Sequence, residues 1–121
     1  MTVPSVDAPR SAEAVVQEQL DAYNARDLER FSAVYDERVR VFRPPTVEPA
    51  MLGRAALVQF YTKQRFHLLR LHADLIHRTV LGKVIVDHRR ISGVNERPFE
   101  VVVVYEVAEE RIQTVWFFSG R

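Results

Sequence analysis

Residues 99–119 read FEVVVVYEVAEERIQTVWFFS. Two runs rich in valine and aromatic residues, 99–108 and 111–119, flank the acidic pair Glu109-Glu110, the pattern of two strands joined by a short turn. Val101 to Tyr105 and Val115 to Phe118 are apolar at every position, so both faces of these strands need cover. Upstream, 71–80 and 84–92 have the same character and are separated by Leu81-Gly82-Lys83, with Gly93 to Pro98 leading into the next run. The C-terminal half therefore reads as an antiparallel meander.

Before Leu71 the apolar spacing is helical. Ser11 is a helix cap, and Ala12, Val15, Val16, Gln19, Leu20 and Tyr23 recur at steps of three and four over a helix at about 11–25. Asp27 caps a second helix, DLERFSAVYD, whose stripe is Leu28, Phe31, Val34 and Tyr35. Arg38 to Arg43 alternates as a half-buried strand stopped by Pro44-Pro45, and a loop with Pro49 follows. Gly53 opens a third helix with Ala56, Leu57, Phe60 and Tyr61 on one side. Helices first and a meander last predict an α+β fold with the helices on one sheet face. Residues 1–10, with Pro4 and Pro9, read as a tail, and 11–121 as one domain.

The composition narrows the function. With 121 residues, 47% apolar and 27% charged, the chain has a globular balance. A net charge of +1 without a basic cluster offers no footprint for nucleic acid or an anionic membrane. The absence of cysteine excludes disulfides, thiolate metal sites and cysteine nucleophiles, and suits a reducing compartment. No apolar run is long enough to span a bilayer and the N-terminus lacks a signal-peptide pattern, so a cytoplasmic location is expected. No glycine-rich nucleotide loop occurs, and the histidines and carboxylates lack metal-ligand spacing, so neither cofactor nor metal is expected.

Helix hairpin, strand, helix and terminal meander together resemble the nuclear transport factor 2-like superfamily, which implies a cone: a curved antiparallel sheet wrapped by three helices, the cystatin-like roll. Val15-Val16-Gln17, Asn24-Ala25-Arg26-Asp27-Leu28, Val41, Pro44, Glu48-Pro49, Gly53, Ala55-Ala56 and Phe60-Tyr61 are similar to the first half of bacterial ketosteroid isomerases. Ile85 to His88, Tyr105-Glu106-Val107, Arg111-Ile112 and Val115-Trp116-Phe117 are similar to SnoaL-like members. Isomerase chemistry needs a carboxylate base and an oxyanion-binding tyrosine and acid. On the resembling positions stand Arg43 for the base, Gln19 for the tyrosine and Val103 for the acid, while Tyr61 matches a pocket tyrosine. Guanidinium accepts no proton near neutrality, so ketosteroid isomerase activity is not expected.

The resemblance implies a pocket walled by Tyr23, Tyr61, Tyr105, Val103, Val115 and Phe117, with Gln19, Arg43, His88 and Arg90 as polar groups. Gln19 either faces this pocket or hydrogen-bonds within the core, and Arg43 either grips an anion or continues the surface series Arg38, Arg40. The resemblance turns the face carrying Val84, Val86, His88 and Arg90 inward, making His88 the candidate acid or base. The alternative is a strand residue beside an Arg90–Asp74 pair. A turn centred on Gly82 sets Asp74 opposite Arg90 and His77 opposite Asp87. The expected ligand is a small, partly apolar, acidic compound, and the reaction an isomerase, cyclase or hydro-lyase step; the alternative is a non-catalytic interaction domain with a filled cone. A homodimer is expected through the other sheet face, by way of Val102, Val104, Trp116 and Phe118.

Overall fold

Ser11 Oγ accepts the Ala14 N–H at 3.1 Å and starts α1 (Ala12–Asn24), as Asp27 does for α2 (Leu28–Ala33) by accepting the Arg30 N–H at 3.1 Å. The computed structural model describes residues 9–120, so the first eight residues of the expected tail lie outside the described residues. The remaining elements are β1 (Tyr35–Phe42), β2 (Met51–Leu52), α3 (Arg54–Gln64), β3 (His72–Leu81), β4 (Val84–Ser92), β5 (Phe99–Ala108) and β6 (Arg111–Ser119). The meander strands begin and end within a residue of the expected bounds. α2, however, is shorter than DLERFSAVYD: the Ile112 N–H donates to the Val34 carbonyl, and Tyr35 pairs with Ile112 as the buried start of β1. Sheet pairing takes over the last residues of the expected helix.

The sheet has the order β2-β1-β6-β5-β4-β3 and does not close. It is antiparallel except that β1 runs parallel to β6, a long-range pairing that alternation in a single strand does not announce. β2 was expected as loop; it is too short to show a period, and it pairs Met51 with Val41 and Leu52 with Arg40. The helices cover one face, on which Val39, Val41, Ile85, Val103, Tyr105 and Val115 meet Val15, Val16, Leu20, Phe31, Leu57 and Tyr61. Phe31 lies at the centre of an aromatic group, its ring centroid 4.7 Å from that of Tyr61, 5.0 Å from Phe66 and 5.1 Å from Tyr35.

Two local devices hold this arrangement. Asn24, the last residue of α1, donates to the Ala73 carbonyl at 3.0 Å and accepts the Ala73 N–H at 2.8 Å, so its amide stands in for a neighbouring strand at the free edge of β3. Gly93 follows β4 with φ +83°, and a Cβ there would come within 2.1 Å of the Arg70 carbonyl oxygen. Only glycine satisfies both the left-handed backbone and the close approach.

Candidate functional site

Between the helices and the inner sheet face lies a cavity of about 70 Å³. Tyr23 and Gln19 of α1, Phe60 and Tyr61 of α3, and Val101, Val103, Tyr105 and Phe117 of the sheet form much of its wall. Its charged lining is Arg43, Arg65 and Arg89, with no carboxylate and no histidine. Arg43, just past β1, sets its guanidinium carbon 5.1 Å from the Phe117 ring centroid and 6.0 Å from that of Phe60. Arg65, just past α3, lies 5.4 Å from the same Phe60 ring, and Arg89 of β4 lies 5.3 Å from the Tyr105 ring. Aromatic faces thus orient all three cations without neutralising them.

Arg89 is 3% exposed, and its charge is held by a buried chain of hydrogen bonds. Its Nε and Nη2 donate to Asp87 Oδ2 at 3.0 and 2.6 Å, and its Nη1 donates to Gln19 Oε1 at 2.8 Å. Gln19 Nε2 in turn donates to the Tyr35 hydroxyl at 3.0 Å. On the other side of Asp87, Arg78 donates from Nε to Oδ1 at 2.7 Å and from Nη2 to Oδ2 at 2.9 Å, and its Nη1 reaches Gln17 Oε1 at 2.8 Å. A fully buried carboxylate is tolerable because two guanidiniums saturate it. Burial opposes the charge on Arg89, but the Asp87 carboxylate beside it counters that cost, and its pKa stays above the ordinary value. Burial also raises Tyr23, Tyr61 and Tyr105, so these phenols are neutral at pH 7 and carry a proton available for donation.

The model of the SnoaL-like domain matches residues 16–115. The chain belongs to the SnoaL-like family. Solved structures similar to this SnoaL-like domain include a protein from Kribbella flavida provisionally described as a ketosteroid isomerase, 22% identical with a TM-score of 0.80 over 91% of this chain and 78% of that one. An uncharacterised cystatin-fold protein from Novosphingobium aromaticivorans is 16% identical, TM-score 0.80, over 90% and 98%. An LEH-like epoxide hydrolase from Mycobacterium tuberculosis is 15% identical, TM-score 0.74, over 90% and 82%. At these identities the likeness is one of fold, and it assigns no reaction. No curated protein matches the chain.

Within this SnoaL-like domain the structure brings together Gln19, Tyr23, Arg43, Tyr61, Val103, Tyr105 and Phe117, as expected. Gln19 serves both readings, since it lines the cavity and hydrogen-bonds in the core. Val115 is buried beside Tyr105 in the core and does not reach the lining. His88 and Arg90 are misplaced by the expectation: Ile85, Asp87, Arg89 and Ile91 form the buried face of β4, so His88 and Arg90 point away from the cavity. Outside, His88 Nε2 lies 2.5 Å from Glu100 Oε1, and Arg90 lies 3.7 Å from Glu100 Oε2.

Asp74 does stand opposite Arg90, but its carboxylate contacts His72 at 3.1 Å instead. The His77–Asp87 pair does not form. The β3–β4 turn sets Leu81 opposite Val84, a register irregularity between Leu75 and His77 corrects the alignment further on, and Arg78 therefore faces Asp87. Among the described residues no three histidines or carboxylates converge as a metal site would require.

Arg65 and Arg89 also line the cavity, and sequence patterning does not single them out. One signal for Arg89 was present: the odd-numbered face of β4 is closed at both ends by Ile85 and Ile91, whereas the even face ends in Arg90 and Ser92. For Arg65, beyond the last apolar residue of the helical stripe, no comparable signal exists.

Proposed function

We propose that this domain binds a small, partly apolar organic acid in the cavity, as an anion held by guanidinium groups. The observation that supports this reading is the lining itself: three arginines face an aromatic and aliphatic interior with no carboxylate among them. An anion entering such a site exchanges water for charge-assisted hydrogen bonds and leaves no cation of its own to desolvate. A neutral ligand would add no counter-charge beyond the one that Asp87 gives Arg89.

The chemistry available to a bound substrate is electrostatic. Neutral phenols and guanidiniums stabilise an oxyanion, such as an enolate, wherever they surround it. None of the lining side chains is a base near neutrality: guanidinium has no acceptor site, the phenols are protonated, and Gln19 Oε1 is occupied by Arg89. An isomerase, cyclase or hydro-lyase step here therefore draws its base from the substrate or from water. A panel of short-chain and single-ring carboxylic acids and their matched amides, screened by thermal shift on wild type and Arg43→Ala, tests the reading. It predicts stabilisation by acids over amides, reduced in Arg43→Ala; a preference for amides contradicts it.

The domain is also proposed to self-associate through the outer sheet face. Phe42, Val102, Val104, Trp116 and Phe118 form an apolar strip there, Phe42 and Trp116 stacked at 6.1 Å, and no helix of the described residues covers it.

A further inference from the structure

The three cations of the cavity are not equivalent. Arg43 is exposed and Arg65 half-buried, and the two share the ring of Phe60. Arg89 is buried beside Tyr105. Phe117, which carries Arg43, pairs with Val103, two positions along β5 from Tyr105, an offset of about 7 Å along the strand. One pole of the cavity is therefore at the rim and the other inside, with Val101, Val103 and Phe117 among the apolar surface lining it.

Arg89 also has capacity to spare. Of its five N–H bonds, three have acceptors among the described residues: Nε–H and one Nη2–H on Asp87, and one Nη1–H on Gln19. One N–H on each terminal nitrogen is left over. Charge is left over as well, because Asp87 is shared with Arg78, and Glu13, 3.8 Å from Arg78, is half exposed to water.

We infer that Arg89 forms an inner oxygen-binding subsite, so that the ligand is a short oxo acid: its carboxylate at Arg43 and Arg65, an apolar middle, and a carbonyl oxygen on Arg89. This inference rests on the organic-acid reading above. A carbonyl suits the inner position better than a second carboxylate, since Asp87 already takes part of the Arg89 charge and a second buried anion carries its own desolvation cost. Size agrees with a short chain: about 70 Å³ holds roughly five to seven water-sized groups, with the acid end at the rim.

The test holds the carboxylate constant. Calorimetry on the wild-type chain compares 4-oxopentanoate and 5-oxohexanoate with their isosteres 4-methylpentanoate and 5-methylhexanoate, in which a methyl group replaces the carbonyl oxygen. Binding of an oxo acid about tenfold or more tighter than its isostere is expected from one hydrogen bond to a charged donor. Equal affinities, or tighter methyl acids, overturn the inner subsite and leave the organic-acid reading standing; no binding by any of the four overturns both. In Arg89→Lys the oxo advantage is expected to fall to about threefold or less. An undiminished advantage there overturns the assignment to Arg89. Should that variant fail to fold, the side-chain Nε resonance of Arg89 in arginine-labelled wild type decides, shifting with 4-oxopentanoate and not with 4-methylpentanoate; equal shifts with both overturn the inference.

Discussion

Arg43 and Arg89 show how differently two residues of one type can be read from sequence. Arg43 ends a strand before two prolines, and that punctuation places it at the rim. Arg89 stands in Asp87-His88-Arg89-Arg90, where polar residues occupy both faces and only the flanking Ile85 and Ile91 tell inside from outside. The buried pairing with Asp87 decides the matter, and it depends on a guanidinium from β3 that the β3–β4 turn brings into register. The residues of the lining also carry a prediction about isomerase chemistry. With no base lining the cavity, turnover of a 5-ene-3-ketosteroid is expected to lack the ~10²–10⁴-fold contribution of general acid–base catalysis; robust turnover in a standard absorbance assay would show that Arg43 is not at the base position. The tyrosines supply a pH prediction. All four, Tyr23, Tyr35, Tyr61 and Tyr105, are buried with pKa values raised above the ordinary value near 10. The folded state thus keeps protons that the unfolded chain loses, and its stability is complete below about pH 10 and declines as pH rises toward the folded values. Phenolate absorbance at 295 nm is expected to stay flat through pH 10 and to rise together with loss of far-ultraviolet circular dichroism. A separate ionisation step near pH 10 in the folded protein would contradict the burial.

At the scale of elements, the four meander strands and the first and third helices were legible because each carries a helical period or a run rich in β-branched and aromatic residues, and a recognisable stop. What was not legible is non-local. The start of β1 follows from its parallel pairing with β6, and β2 from pairing with β1, and neither depends on the residues between. Two contacts that join elements can be tested. Gly93→Ala is expected to destabilise by about 2–4 kcal/mol, combining a left-handed backbone with a clash against the Arg70 carbonyl; a urea midpoint close to wild type would mean that the approach relaxes freely. Asn24→Ala removes both hydrogen bonds to Ala73 and is expected to cost about 1–3 kcal/mol. Faster amide exchange confined to the first residues of β3 would mark the loss of the edge contact, and unchanged protection at Ala73 would count against it.

For the molecule as a whole, the sheet works on two sides. Its inner face holds the core and the cavity, and its outer face carries the strip from Phe42 to Phe118 that the valine and aromatic runs already required to be covered. Sedimentation at tens of micromolar is expected to give a dimer, and Phe118→Glu, at a position 42% exposed, to give a folded monomer. A wild-type monomer would leave the strip without its proposed role. The charged side chains that line the cavity are of one sign. Titration calorimetry of 4-methylpentanoate against the isosteric 4-methylpentanamide on the wild-type chain isolates that charge. The account predicts saturable binding of the acid at least about tenfold tighter than the amide, whereas equal affinities or tighter binding of the amide would contradict it.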